Sequence, residues 1–155
     1  MTQTEAATSV RRSVTVSATP ERAFEVFTAG IDRWWPRDHH IGDAPLRESV
    51  LEPGEGGRWY EKGEDGSECD WGRVLVWEPP HRLVLAWQIS ADWAYDPELV
   101  TEVRVTFTPQ DGDRTRVELE HAHLDRFGAR AAQMAAVFGS ANGWPGMLDA
   151  YAATV

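Results

Sequence analysis

A chain of 155 residues with 42% hydrophobic side chains is long enough for one domain with its own core and too apolar to stay disordered. Its net charge of −10 at pH 7 repels phosphate backbones, which argues against nucleic acid as a partner. A single cysteine, Cys69, excludes an internal disulfide and a multi-cysteine zinc site, and no apolar run approaches the roughly 18 residues of a membrane-spanning helix, so no membrane partner is expected.

Residues 1–9 are small and polar and read as a loose, disordered tail. They have neither the basic start nor the apolar stretch of a signal peptide, so a cytoplasmic location is expected, with one domain over residues 10–155. Val10, Val14 and Val16 alternate on one face of a first strand at 10–16. Thr19 then suits a helix N-cap, with Pro20 at the first helical position and Glu21 in the first turn. Ala23, Phe24 and Phe27 make the apolar stripe, and Gly30 closes the helix. A second short helical turn takes Ile31, Trp34 and Trp35 and stops at Pro36. Residues 36–45 form a loop holding the adjacent His39 and His40.

Strands follow at 46–52 and 58–62, separated by the turn signal Pro53-Gly54-Glu55-Gly56-Gly57. Glu64-Asp65-Gly66 marks a hairpin turn. Four more strands run in meander order at 68–77, 82–90, 99–108 and 114–123. Leu83, Leu85, Trp87 and Ile89 alternate on one face, as do Val103, Val105 and Phe107 in the next strand and Val117 and Leu119 in the last. One buried and one wet face is the pattern of an antiparallel sheet. The end of the chain is helical from Ala129 to Phe138 and again after Trp144. Gly139-Ser140-Ala141-Asn142-Gly143 and Pro145, which fits only a first helical turn, predict two pieces instead of one long helix.

The pattern is therefore α+β: a curved antiparallel sheet of about six to seven strands around a C-terminal helical segment, with two short helices after the first strand. A gap left between sheet and helix would be a pocket. Eight tryptophans exceed what a core of this size uses, and some are expected to wall that gap.

Several stretches carry a family likeness: Thr19-Pro20-Glu21-Arg22-Ala23-Phe24, Ile31-Asp32-Arg33-Trp34-Trp35-Pro36, Gly56-Gly57-Arg58-Trp59, Trp71-Gly72-Arg73-Val74, Pro79-Pro80-His81-Arg82-Leu83 and Gly143-Trp144 with Met147-Leu148. In this order and spacing, over about residues 10–153, the chain resembles the START-like, SRPBCC superfamily. Within it, the likeness is to the branch named after the C-terminal domain of the heat-shock-protein-90 ATPase activator. The resemblance implies a helix-grip fold with a hydrophobic cavity that binds or processes apolar small molecules such as lipids, steroids and polyketides.

Candidate site residues follow from the alternation. Trp35, Trp59, Trp71, Trp87 and Trp144 are expected to wall a ligand pocket, with His121 and His123 as polar groups two apart on one inward strand face. A His-x-His pair joined by His39 or His40 is a partial metal set, but no Asp or Glu at a suitable spacing completes it, and no metal is expected. Glu61 shares a strand face with Trp59. Turned inward it would be a carboxylate in an apolar pocket, able to work with His121 as a general acid or base. Turned outward it would be solvated and paired with Arg73. Trp34 and Trp35 would gate the pocket or pack on the sheet, and Trp93 with Tyr95 would form a rim or partner contact.

No Gly-rich phosphate loop, nucleophile elbow or zinc-protease motif is present, so neither a cofactor nor a nucleophilic mechanism is expected. The leading expectation is a domain that binds an apolar or aromatic small molecule without catalysis. A cyclase or hydrolase using Glu61 and His121, and a chaperone-regulating interaction module, are the alternatives, and a homodimer is left open.

Overall fold

Alternation along the strands decides the architecture. The computed structural model describes residues 9–155. Seven strands form one sheet: β1 (Ser9–Val16), β2 (Leu46–Leu51), β3 (Arg58–Gly63), β4 (Glu68–Glu78), β5 (Arg82–Trp87), β6 (Thr101–Gln110) and β7 (Arg114–Ala122). Every neighbouring pair is antiparallel, in the order β1-β7-β6-β5-β4-β3-β2. Val103, Val105 and Phe107 of β6 lie opposite His121, Leu119 and Val117 of β7. All six are at most 2% exposed, whereas Thr106, Arg116 and Glu118 between them face water. With its apolar side chains on one face, the sheet curls into a half-barrel.

β1 and β2 sit at opposite edges of the sheet, so the chain between them has to cross it. The crossing carries two helices, α1 (Pro20–Thr28) and α2 (Ile31–Trp34). The Thr19 hydroxyl caps α1, accepting from the Arg22 N–H at 3.3 Å, and Pro20 sits where no N–H is needed. Ala23, Phe24, Val26 and Phe27 form the buried face, with the Phe24 ring 5.2 Å from Phe107 and 5.1 Å from Trp77.

After β7 a 3-10 segment, Leu124–Arg130, leads into α3 (Ala131–Phe138) and then α4 (Trp144–Thr154). The covering helix is in two pieces, as the Gly-rich interruption implied. Gly143 is required at the break, because a Cβ there would run into the carbonyl groups of Val137 and Phe138. The buried Tyr151 hydroxyl of α4 donates to the Ala23 carbonyl at 2.7 Å and ties the last helix to α1. Burial raises this phenol's pKa above the ordinary tyrosine range.

Several boundaries differ from expectation by a residue or more, three of them near the site or the chain start. Ser9 pairs with Ala122 and belongs to β1; the rest of the expected tail lies outside the described residues. β5 stops at Trp87 instead of running to Ser90, and the Gln88 carbonyl accepts from the Asp96 N–H of the following loop. The Gln88 side chain accepts from Arg73 and donates to the Pro97 carbonyl, and Ile89 keeps a single bridge to Tyr95. β6 consequently begins at Thr101, not at Leu99.

Gly72 on β4 leaves no room for a side chain, since a Cβ there meets the Ala86 carbonyl of β5. Gly72→Ala is expected to push the two strands apart and cost about 3 kcal/mol, read as a lower urea midpoint of unfolding. An unchanged midpoint would show that the strands are not held this closely.

Candidate functional site

Five indoles form one connected unit under the concave face. Trp35 stacks on Trp71 with ring centres 4.9 Å apart and planes at 30°. A closed circuit runs from Trp35 to Trp59 (6.0 Å), to Trp87 (5.6 Å), to Trp144 (6.0 Å) and back to Trp35 (6.4 Å), each step edge to face. These are the arrangements aromatic quadrupoles favour, each worth about 0.5–1.5 kcal/mol beyond area burial. The Nε1–H groups of Trp59 and Trp87 are buried without an oxygen or nitrogen partner. Each ring instead meets a neighbouring ring edge to face, Trp59 with Trp87 and Trp87 with Phe138.

On one side of this unit a cleft of about 300 Å³ opens to solvent, within the size range of small-molecule pockets. Trp35, Trp71, Trp87 and Ile89 form its floor, Val137, Phe138 and Met147 its helical wall, and Trp93 its rim. The polar side chains at its mouth are Asp38, His39, His40 and Asn142. Of the expected wall residues, Trp35, Trp71 and Trp87 border the cleft. Trp59, Trp144 and His121, each at most 1% exposed, pack behind them.

His121 is fully buried and fully bonded. The Trp144 indole N–H donates to its Nδ1 at 3.1 Å, so Nδ1 must be the acceptor. The neutral ring then carries its proton on Nε2 and donates to the Thr101 hydroxyl at 2.8 Å, which donates in turn to the Trp87 carbonyl at 3.1 Å. Burial lowers the His121 pKa to about 3. With no spare lone pair and no access to water, this ring is a structural joint and not an acid or base.

His123 does not share its face. β7 ends at Ala122, and His123 turns left-handed (φ 66°), so the alternation that would have carried it inward is broken. Its Nε2 accepts from Arg104 at 3.1 Å and lies 3.8 Å from Glu102, outside the cleft. The His-x-His pair therefore cannot converge on one metal or ligand.

Glu61 takes the inward alternative, at 1% exposure. Its Oε1 accepts from the Ile41 N–H (2.7 Å) and the Trp71 indole (2.8 Å), and its Oε2 from the Gly42 N–H (3.1 Å). The outward alternative fails: Arg73 bonds Gln88 instead. The Glu61–His121 acid–base pair is not formed either: Glu61 bonds Ile41, Gly42 and Trp71, His121 bonds Thr101 and Trp144, and the two share no partner. Cys69, opposite Glu61 on β4, has its thiol pushed up by burial and then by the Glu61 charge, which leaves it a poor nucleophile.

The 36–45 loop is tied to its surroundings by hydrogen bonds along its length. Trp34 donates to the Val26 carbonyl at 3.0 Å and Trp35 to the His39 carbonyl at 2.9 Å, and both rings are buried. His39 bridges the cleft mouth, with Nδ1 2.9 Å from Asp38 Oδ1 and Nε2 2.7 Å from the Asn142 carbonyl. The His39 hydrogen bond and charge hold the Asp38 carboxyl below the usual carboxylate range. His40 donates from Nδ1 to the Gly42 carbonyl at 2.9 Å. Among the described residues its Nε2 has no hydrogen-bond partner. Val137 and Phe138 as cleft wall were visible in the sequence only as members of an Ala-rich apolar helix, without a signal of their own.

Residues 17–155 match the model of a family described as Activator of Hsp90 ATPase homolog 1-like protein. No curated protein matches the chain. Among solved structures, Txn09, described as an anthrahydroquino-γ-pyrone synthase, is 39% identical with a TM-score of 0.68, over 96% of this chain and 97% of that one. CalC, a self-sacrificing resistance protein from Micromonospora echinospora, is 36% identical with a TM-score of 0.70, over 96% and 94%. Protein NE0264 from Nitrosomonas europaea is 12% identical with a TM-score of 0.67, over 96% and 94%, and shares the fold alone.

A histidine whose folded pKa lies below its unfolded value stabilises most above about pH 6.5, where neither state is protonated. As pH falls from there toward 3, the unfolded chain takes up a proton that folded His121 refuses, costing up to about 1.4 kcal/mol per pH unit. His121→Leu is expected to unfold at lower urea at pH 7.5 yet lose less stability between pH 6.5 and 4.5 than the wild type. Equal losses would contradict the buried neutral ring.

Proposed function

We propose that this chain, which belongs to the Activator of Hsp90 ATPase homolog 1-like family, binds a planar, polycyclic aromatic small molecule in the cleft between its sheet and its α3–α4 helices. The observation that carries this reading is the set of four indoles, Trp35, Trp71, Trp87 and Trp93, on one open cleft of about 300 Å³. Ring faces and aliphatic groups make most of that surface, and flat aromatic molecules bury the most area against such walls. The likeness to Txn09 points to the same chemistry, since the name of that protein designates fused planar rings.

The same likeness favours a second reading, an enzyme acting on such a ligand. The Glu61–His121 pair expected to carry it is already committed to structural bonds, so catalysis would fall to groups at the mouth. A chaperone-regulating module has less support. The exposed large hydrophobic residues among those described are Trp93, Tyr95 and Val137, and two of the three border the cleft instead of forming a separate outer patch.

1-Hydroxyanthraquinone is expected to quench tryptophan fluorescence saturably after correction for its own absorption. Val137 is partly exposed on the cleft wall, so Val137→Arg is expected to weaken binding at least 10-fold while stability stays within about 0.5 kcal/mol. Quenching that never saturates, or an unaffected Val137→Arg variant, would contradict the reading.

A further inference from the structure

Four histidines lie near the aromatic unit or the cleft, and their partners separate them. His121 is sealed and its two nitrogens are both used. His123 is turned away, with Nε2 facing Arg104. Both nitrogens of His39 are engaged, Nδ1 with the Asp38 carboxylate and Nε2 with the Asn142 carbonyl, so neither is free toward the cleft. His40 is the exception. A carbonyl can only accept, so the Gly42 bond fixes the proton on Nδ1 and leaves a bare lone pair on Nε2.

That lone pair is held in place from below. The buried Glu61 carboxylate grips the Ile41 and Gly42 N–H groups, the two residues that follow His40, while the Gly42 carbonyl orients the ring. His40 is only half-buried at the cleft mouth, so a proton it gains can pass to water. A tautomer fixed by a backbone carbonyl, an unpaired ring nitrogen, an apolar aromatic cleft and an exit to solvent are together what general-base catalysis requires.

We propose that His40 Nε2 is a general base, set to take an acidic proton from a planar aromatic ligand in the cleft. The inference rests on the cleft being the ligand site. In the transfer, the ligand's C–H or O–H bond breaks, a bond forms to Nε2, and the electron pair stays on the ligand. The imidazolium then returns its proton to water, so no oxidant, reductant or co-reactant is needed.

5-Nitrobenzisoxazole, a flat bicyclic molecule with an acidic C–H, reports this step directly. As the base takes the C3 proton, the C–H electron pair completes a nitrile, the N–O bond breaks and its pair leaves on oxygen. The coloured phenolate that forms is followed by absorbance. His40→Asn keeps an N–H for the Gly42 carbonyl but has no basic nitrogen, and His40→Ala leaves a space. Both are expected to lower kcat/KM about 100-fold while the probe still quenches tryptophan fluorescence saturably. Imidazole added to His40→Ala is expected to restore the rate saturably, which a merely structural role of His40 would not produce. Variants that turn over at the wild-type rate, or a wild type that binds the probe but works no faster than free imidazole, would overturn the base and leave the binding reading standing. Absence of saturable quenching in every form would overturn the binding reading and the base with it.

Discussion

A carboxylate buried in an aromatic core cannot be left without hydrogen-bond partners. Burying an unpaired charge costs several kcal/mol, and removing a partner from a buried ionic group typically costs about 3–5. Glu61 meets this constraint with three N–H donors, two from the loop that crosses above it and one from the Trp71 ring on the next strand. Those bonds fix much of what surrounds the cleft. They aim Trp71 so that Trp35 stacks on it, and they pin the loop so that His39 reaches the break between α3 and α4. The mouth therefore has a set shape before any ligand arrives, which lowers the ordering cost of binding.

His121 plays the matching part on the far side. It links Trp144 of α4 through Thr101 to the backbone at Trp87, joining the last helix to the centre of the sheet. Glu61 holds the loop side of the cleft and His121 the helix side, and the floor of tryptophan rings lies between them. Two polar groups that look like chemistry when read along the sequence thus serve as fasteners for an aromatic surface. The half-buried groups at the mouth retain the freedom to react.

The fold was largely legible in the residues. Thr19-Pro20 announced α1, the alternation through β6 and β7 placed the inward face, and Gly139–Gly143 with Pro145 announced the helix break. Alternation also turned Glu61 and His121 inward correctly. Partner choice was not legible, because two of the three donors to Glu61 are backbone N–H groups 19 and 20 residues away, which have no side-chain signature. Alternation failed outright at His123, where a single left-handed residue ended the strand. The tryptophan count pointed to an aromatic site but did not divide wall from core. That division depends on which side of the indole circuit the C-terminal helices leave uncovered, a property of packing and not of pattern.

The central claim, that the cleft takes a planar aromatic ligand against its indole floor, is tested most directly by the indole N–H resonances of the eight tryptophans during a titration with 1-hydroxyanthraquinone. Binding in the cleft predicts that the Trp35, Trp71, Trp87 and Trp93 signals move together and saturate at one equivalent, while Trp77, away from the cleft, stays in place. Shifts centred on Trp77, or uniform shifts that do not saturate, would contradict it.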